Sequence, residues 1–390
     1  MHVLIIPSAY PTEDAPLRGI FFKEQAIELK ESDLQVGVIY SETRRITGIN
    51  VNTLKKFHFQ IKDSIEDGVR TVRLQGWNIL AMRNSLGINL WVRQTLRLFR
   101  LYIKKYGLPD IIHVHIGLYG GIAAKKIKEI YNIPYVITEH SSNVLNGTLN
   151  EYHKNLLKEA YYSADYLISV GEKLKSKMMN YTCNEICVIP NIVNTDSFII
   201  NRNKEEKNKF RFVSVSFLNE NKNVDLTIKA FCKAFKGKGE FELFIAGDGA
   251  SREKLENLVK KLNLEKQVKF VGSISRKDLP RFYNEGDCFV LPSKYETFGV
   301  VYIEALSCGL PIITTKCGGP EDFFKDDLGY IIEVGDEEAL CKSMKDVVLN
   351  KENFNREAMS KYIKNKFSRL VITKEIRSIY NKVLDNNGII

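Results

Sequence analysis

Short apolar runs rich in Val and Ile alternate from end to end with stretches of helical period, the pattern left by parallel α/β sheets with crossover helices. In the first half the predicted strands are His2–Pro7, Gln35–Tyr40, Asp110–His115, Pro134–Thr138, Tyr166–Val170 and Cys187–Pro190. The run Asn201–Lys209 is polar throughout and has no apolar period, so it reads as a linker. A second series follows, with strands predicted at Phe210–Phe217, Phe241–Gly247, Val268–Gly272, Asp287–Leu291, Pro311–Thr315 and Gly329–Ile332. The chain therefore divides into a first domain over 1–200, the linker over 201–209, a second domain over 210–370, and a C-terminal helix over 371–390 that is able to cross back to the first domain. Two doubly wound α/β domains are expected. Such sheets bind ligands beyond the carboxyl ends of their strands, so two of them facing one another predict a central cleft.

Composition narrows the chemistry. A chain of 390 residues with 44% hydrophobic and 27% charged positions is ordinary for a globular protein with two cores. Seven cysteines, an odd number, fit reduced thiols better than a disulfide framework, and Cys183 and Cys187 lack the spacing and the second pair of a zinc site. The opening run Met1–Pro7 is too short for a signal peptide and lacks a basic leader, and no stretch reaches the roughly 20 apolar residues of a spanning helix. The expected localisation is cytoplasmic. A net charge of +10 favours an anionic partner such as a nucleotide, a lipid headgroup or nucleic acid. No Gly-x4-Gly-Lys-Ser/Thr loop and no basic surface interleaved with aromatics occurs, which argues against nucleic acid. Gly247-Asp248-Gly249 lacks the third glycine of a dinucleotide fingerprint, which argues against redox chemistry.

The densest constellation follows the strand ending at Leu291. There Pro292–Gly299 form a loop, and a helix begins near Gly299. The N–H groups of Phe298, Gly299 and Val300 would point outward with the positive end of the helix dipole, and Gly299 allows close backbone approach, an environment suited to a diphosphate. Glu304 lies roughly 7 Å further along the helix axis at 1.5 Å per residue, the reach from a diphosphate to its ribose, whose hydroxyls a carboxylate can accept. Glu296 stands on the other side, where it can hydrogen-bond a sugar or stabilise positive charge at an anomeric carbon. Gly318 and Gly319, in a loop after another strand, offer further backbone N–H groups. One isolated acid would be an ordinary solvated side chain; the acid, the helix-starting glycine and the second acid in series are more specific.

The string Glu296-Thr297-Phe298-Gly299, with Glu304 eight residues after Glu296, resembles the Glu-x7-Glu motif of retaining glycosyltransferases of family 4. The resemblance covers nearly the whole chain. It takes in Pro190–Asn194, Ala246–Gly249, Phe270-Val271-Gly272, Gly309-Leu310-Pro311 and Gly318–Glu321. In the first half, Tyr10-Pro11, Gly19-Ile20-Phe21, Glu24-Gln25-Ala26, His113-Val114-His115 and Thr138–Ser141 are similar to members acting in bacterial surface-polysaccharide assembly. The resemblance implies the GT-B fold, two Rossmann-like domains facing a cleft, and retaining transfer of a sugar from a nucleotide-diphosphate sugar, UDP favoured and GDP the alternative, to a glycan or lipid-linked acceptor.

It also implies roles. Glu296 and His140 would be catalytic, His140 lying near the donor sugar. Gly19, Lys222, Thr297, Phe298, Gly299, Val300, Gly318 and Gly319 would hold the diphosphate and sugar, while Glu304, Gly272, Ser273 and Ile274 would hold the ribose and base. The family's basic pair is half present: Val215–Lys222 supplies Lys222 and no arginine, leaving compensation by Arg18, by backbone N–H groups, or a weak donor site. No two aspartates stand two apart, so the Asp-x-Asp metal clamp of the other large glycosyltransferase fold is absent, and neither a metal nor another cofactor is expected. A non-catalytic nucleotide-sugar-binding subunit and a nucleotide-sugar epimerase are the rival functions.

Two further features stay open. His113 and His115 alternate on one strand and are expected on opposite faces, with packing or hydrogen-bonding roles weighed against acceptor contact. Between Arg83 and Gly107 six basic residues and no acidic ones interleave with Leu90, Trp91, Leu96, Phe99, Tyr102 and Ile103. This is either a surface helix with its apolar face on the first sheet or an interfacial helix drawn to anionic lipid, which would place the protein peripherally on the inner face of the cell membrane.

Overall fold

The computed structural model describes residues 1–44, 57–77, 85–202 and 208–388. They form two compact units, Met1–Ile192 with Ile372–Ile390, and Val193–Val371.

The first unit is built on β1 (His2–Pro7), β2 (Gln35–Arg44), β3 (Gln60–Glu66), β4 (Val69–Trp77), β5 (Ile111–His115), β6 (Tyr135–Glu139), β7 (Tyr166–Ser169) and β8 (Ile186–Val188), in the order β3-β4-β2-β1-β5-β6-β7-β8. Every pairing is parallel except β3 with β4. All residues of β1, β5 and β6 are buried, because helices cover both faces; such strands read as continuous apolar runs and were visible in the sequence. The β3–β4 hairpin was not foreseen. β3 is a largely polar edge strand, and Asp67 and Gly68 turn the chain with positive φ of 46° and 83°, the left-handed pair of a two-residue hairpin. The strand order reverses between β1 and β5, so the carboxyl ends of these strands define the first unit's binding edge.

The helix Ser85–Tyr106 buries Ile88, Trp91, Val92, Leu98, Phe99 and Tyr102 against this sheet. Trp91 donates from Nε1 to the Ser41 carbonyl at 3.2 Å, and Tyr102 bonds the His2 ring at 2.8 Å. Arg93, Arg97, Arg100, Lys104 and Lys105 are exposed on the opposite side. The surface-helix reading therefore holds for the apolar face; Arg83 lies outside the described residues. No helix among the described residues is long and apolar enough to cross a membrane. The helix Arg369–Asn386 sets Ile372, Ile376, Tyr380, Val383 and Leu384 into one core with Val3, Ile5, Leu29 and Val38.

The second unit holds β9 (Phe210–Val215), β10 (Phe241–Ala246), β11 (Val268–Gly272), β12 (Cys288–Val290), β13 (Ile312–Thr315) and β14 (Gly329–Ile332), all parallel, in the order β11-β10-β9-β12-β13-β14. Every one of these strands was legible in the sequence to within one or two residues at each end. Here the order reverses between β9 and β12. The loops after these two strands carry Lys222 and Ser293–Gly299.

Candidate functional site

In the second unit three loops are stitched together at the carboxyl edge of the sheet. Asn221 accepts from the Tyr295 amide at 3.1 Å and donates to the Tyr295 carbonyl at 3.0 Å, and its own carbonyl accepts from the Lys294 amide at 2.8 Å. This registers the loop after β9 on the loop after β12. Lys222 consequently meets Glu296 at 2.5 Å, and the Ser293 hydroxyl donates to the same carboxylate oxygen at 2.8 Å. The Glu296 amide donates to Cys317 at 3.0 Å, bringing in the loop after β13. In that loop Gly319 packs so closely that a Cβ would stand 2.2 Å from the Phe298 carbonyl oxygen, so only glycine fits.

Gly299 caps the helix Val300–Ser307 in the left-handed conformation, φ 91° and ψ 58°, with no side-chain cap. The Phe298 ring is buried beside Phe323 and Phe367, anchoring the loop from below. Its amide and that of Gly299 have no acceptor among the described residues. A helix start with free N–H groups and no capping acid attracts an anion. One turn on, Glu304 is fully buried, accepts from the Tyr283 hydroxyl at 3.0 Å and pairs with Arg276, whose guanidinium lies 5.0 Å from the centre of the Phe198 ring. Burial and the Glu304 charge push the Tyr283 phenol well above its ordinary value, keeping it a hydrogen-bond donor.

The structure thus brings Lys222, Glu296, Thr297, Phe298, Gly299, Val300, Glu304, Gly318 and Gly319 to one sheet edge. The Gly318 amide already donates to Glu321 at 2.7 Å, so a ligand there competes with a carboxylate. Gly272 ends β11 with its carbonyl accepting from Gly247 at 2.8 Å, and Ser273 is exposed beyond it, followed by half-buried Ile274. Sequence reasoning missed Arg276, Tyr283, Ser293 and Asn221. Arg276 follows the loop already assigned to the ribose and base by only two residues, and a cation there was the available signal; the other three act through folded contacts. Arg18 belongs to the first unit and is exposed.

In the first unit Gly19, at φ 69°, starts the helix Ile20–Glu31, and a Cβ there would lie 2.4 Å from the Ala9 carbonyl oxygen. The expectation that His113 and His115 face opposite ways is wrong: residues two apart on a strand share a face, and their rings stack 4.5 Å apart. His113 bonds Tyr380 at 2.5 Å and Thr138 at 2.7 Å, a packing and hydrogen-bonding role. Glu139, fully buried, accepts from the amides of Gly117, His140 and Ser141 at 3.0, 3.0 and 2.9 Å and from the Tyr161 hydroxyl at 2.7 Å, fixing the backbone on which His140 stands.

Two parallel-sheet, Rossmann-like domains, one with an acid-flanked helix start at its switch point, define a glycosyltransferase of the GT-B fold. Profiles described as "Glycosyltransferase Family 4" and "Glycosyl transferases group 1" match residues 20–197 and 196–366, and the chain belongs to this family. A probable sucrose-phosphate synthase of Thermosipho melanesiensis is 30% identical over 306 residues, 68% of this chain and 69% of that one. An uncharacterized glycosyltransferase of Methanocaldococcus jannaschii is 30% identical over 250 residues, 59% of this chain and 63% of that one. The putative teichuronic acid biosynthesis glycosyltransferase TuaC of Bacillus subtilis is 25% identical over 371 residues, 88% of each. Among solved structures, a sucrose-phosphate synthase from Thermosynechococcus elongatus superposes with a TM-score of 0.82 at 19% identity, covering 99% of this chain and 100% of that one. HepE from Anabaena in complex with UDP gives 0.76 at 16%, covering 98% and 100%.

Proposed function

We propose that this glycosyltransferase transfers a sugar, with retention, from a nucleoside-diphosphate sugar, UDP favoured, to a glycan or lipid-linked acceptor in surface-polysaccharide assembly. The observation that carries the donor assignment is the helix start at Gly299 with free amides, flanked by Glu296 beside Lys222 and by buried Glu304. The diphosphate meets the helix N-terminus and Lys222, the ribose hydroxyls meet Glu304, and the sugar lies toward Glu296. In the same reading Gly272, Ser273 and Ile274 serve the base, Thr297, Val300, Gly318 and Gly319 line the phosphates and sugar, and Gly19 and His140 act from the first unit. The leaving diphosphate is neutralised by Lys222 and the helix dipole, without a divalent metal. The UDP bound to HepE and the teichuronic acid role in the name of TuaC support the donor and acceptor classes. The exposed Arg93, Arg97, Arg100 and Lys104 support peripheral attraction to an anionic lipid surface carrying the acceptor.

A thermal-shift series against UDP, GDP, ADP and CMP tests the donor assignment. Selective stabilisation by UDP is expected, unchanged by EDTA. No shift with any diphosphate would defeat the reading, and loss of the shift in EDTA would defeat its metal independence. Glu304→Ala is expected to weaken UDP binding by about 1.5–3 kcal/mol through loss of a charged hydrogen-bond acceptor. Calorimetry of UDP against the variant checks this, and unchanged affinity would remove Glu304 from the ribose.

A further inference from the structure

The His140 ring is held more tightly than its backbone anchor at Glu139 requires. Its Nε2 lies 3.1 Å from Nδ1 of His115, and the edge of Phe22 packs on it while the same Phe22 stacks flat on His115 at 4.6 Å. Two imidazoles meeting nitrogen to nitrogen share one proton, so one ring donates and the other accepts.

The environment of His115 fixes the direction. At the other end of the pair, Nε2 of His115 is buried with no hydrogen-bond partner. A proton placed on Nε2 of His115 would be a buried donor with nothing to receive it, and orphaned buried N–H groups are rarer than unfilled acceptors.

We infer that His115 is a positioning residue: it donates Nδ1–H to Nε2 of His140 and locks that ring in its Nδ1–H tautomer, so that His140 serves as a neutral, fixed imidazole and not as a proton-transfer group. The groups around the pair agree. His113 stacks on His115 and is itself tied to Tyr380 and Thr138, and Glu139 directs its carboxylate to backbone amides and Tyr161, away from the imidazole nitrogens. Burial holds both His113 and His140 near pKa 3 and His115 well below its ordinary value, so all three are uncharged at neutral pH.

Only the bearing of this lock on sugar transfer rests on the function proposed above; the lock itself is measured without nucleotide. The experiment is 15N NMR of the whole chain labelled at histidine imidazoles, with the His140 signal assigned by its loss in His140→Gln. A protonated Nδ1 and a bare Nε2, unchanged from pH 5 to pH 8, are expected. His115→Phe keeps the aromatic stack on Phe22 and removes the donor; His140 is then expected to lose its single tautomer. A proton on Nε2 of His140 in the natural chain, titration of that ring between pH 5 and pH 8, or an unaltered tautomer in His115→Phe would each overturn the inference. If His115→Phe does not fold, the spectrum of the natural chain decides.

Discussion

Glu296→Gln is expected to lower the rate of sugar release or transfer from the nucleoside-diphosphate-sugar donor by roughly 10²–10³-fold, the size of effect seen when a group poised for developing charge is removed. UDP affinity is expected to hold or rise slightly. The carboxylate is oriented by Ser293 and Lys222, so the substitution removes charge without removing the loop's anchors at Asn221 and Cys317. It also releases the Lys222 ammonium, which then has a phosphate as its strongest available partner. Steady-state turnover measured beside calorimetry of UDP separates the two effects. A parallel loss in both would make Glu296 a binding residue, and unchanged turnover would remove it from the reaction.

Acidification is expected to destabilise the first unit well before general acid unfolding. His113 is fully buried with both ring nitrogens engaged, and burial lowers its pKa to about 3. An unfolded histidine titrates near 6.5, so below that pH the unfolded chain binds a proton that the folded chain excludes. The stability is complete above about pH 6.5 and is lost progressively as the pH falls toward 3. At pH 5 the gap of about 1.5 units corresponds to about 2 kcal/mol from His113 alone, at 1.36 kcal/mol per unit. His115 and His140 act in the same direction. The buried Glu139, whose carboxyl is pushed up, acts oppositely. Urea midpoints at pH 7, 6 and 5, compared with those of His113→Asn, isolate the histidine contribution. A pH-independent midpoint in the natural chain would contradict it.

Much of this was written in local pattern. Strands buried on both faces announce themselves as apolar runs, and the helix start after β12 combines a glycine, two acids and a strand end within fifteen residues of sequence. β3 was hidden because a polar edge strand has no such run, and β4, although mostly buried, because Arg70, Thr71, Arg73 and Gln75 interrupt its apolar residues; the Asp67-Gly68 turn between them was present. Arg276 and Tyr283 reach Glu304 from 28 and 21 residues away, a proximity made only when the chain after β11 folds back on the helix. No local period encodes that. The opposite-face placement of His113 and His115 failed for a simpler reason, since a strand's period of two puts alternate residues on the same side.

The helix Arg369–Asn386 gives the first unit a temporal property. Its Ile372, Ile376, Tyr380, Val383 and Leu384 cover the apolar side chains of β1 and β2, yet the whole of Val193–Val371 is translated between Ile192 and Ile372. At roughly 5–20 residues per second, the amino-terminal sheet waits on the order of ten seconds or more with that flank uncovered. The earliest residues made are therefore among the last to be sealed. A ribosome stalled before Ile372 leaves a nascent chain whose second unit has all of its residues while its first still presents an open apolar flank to chaperones and proteases.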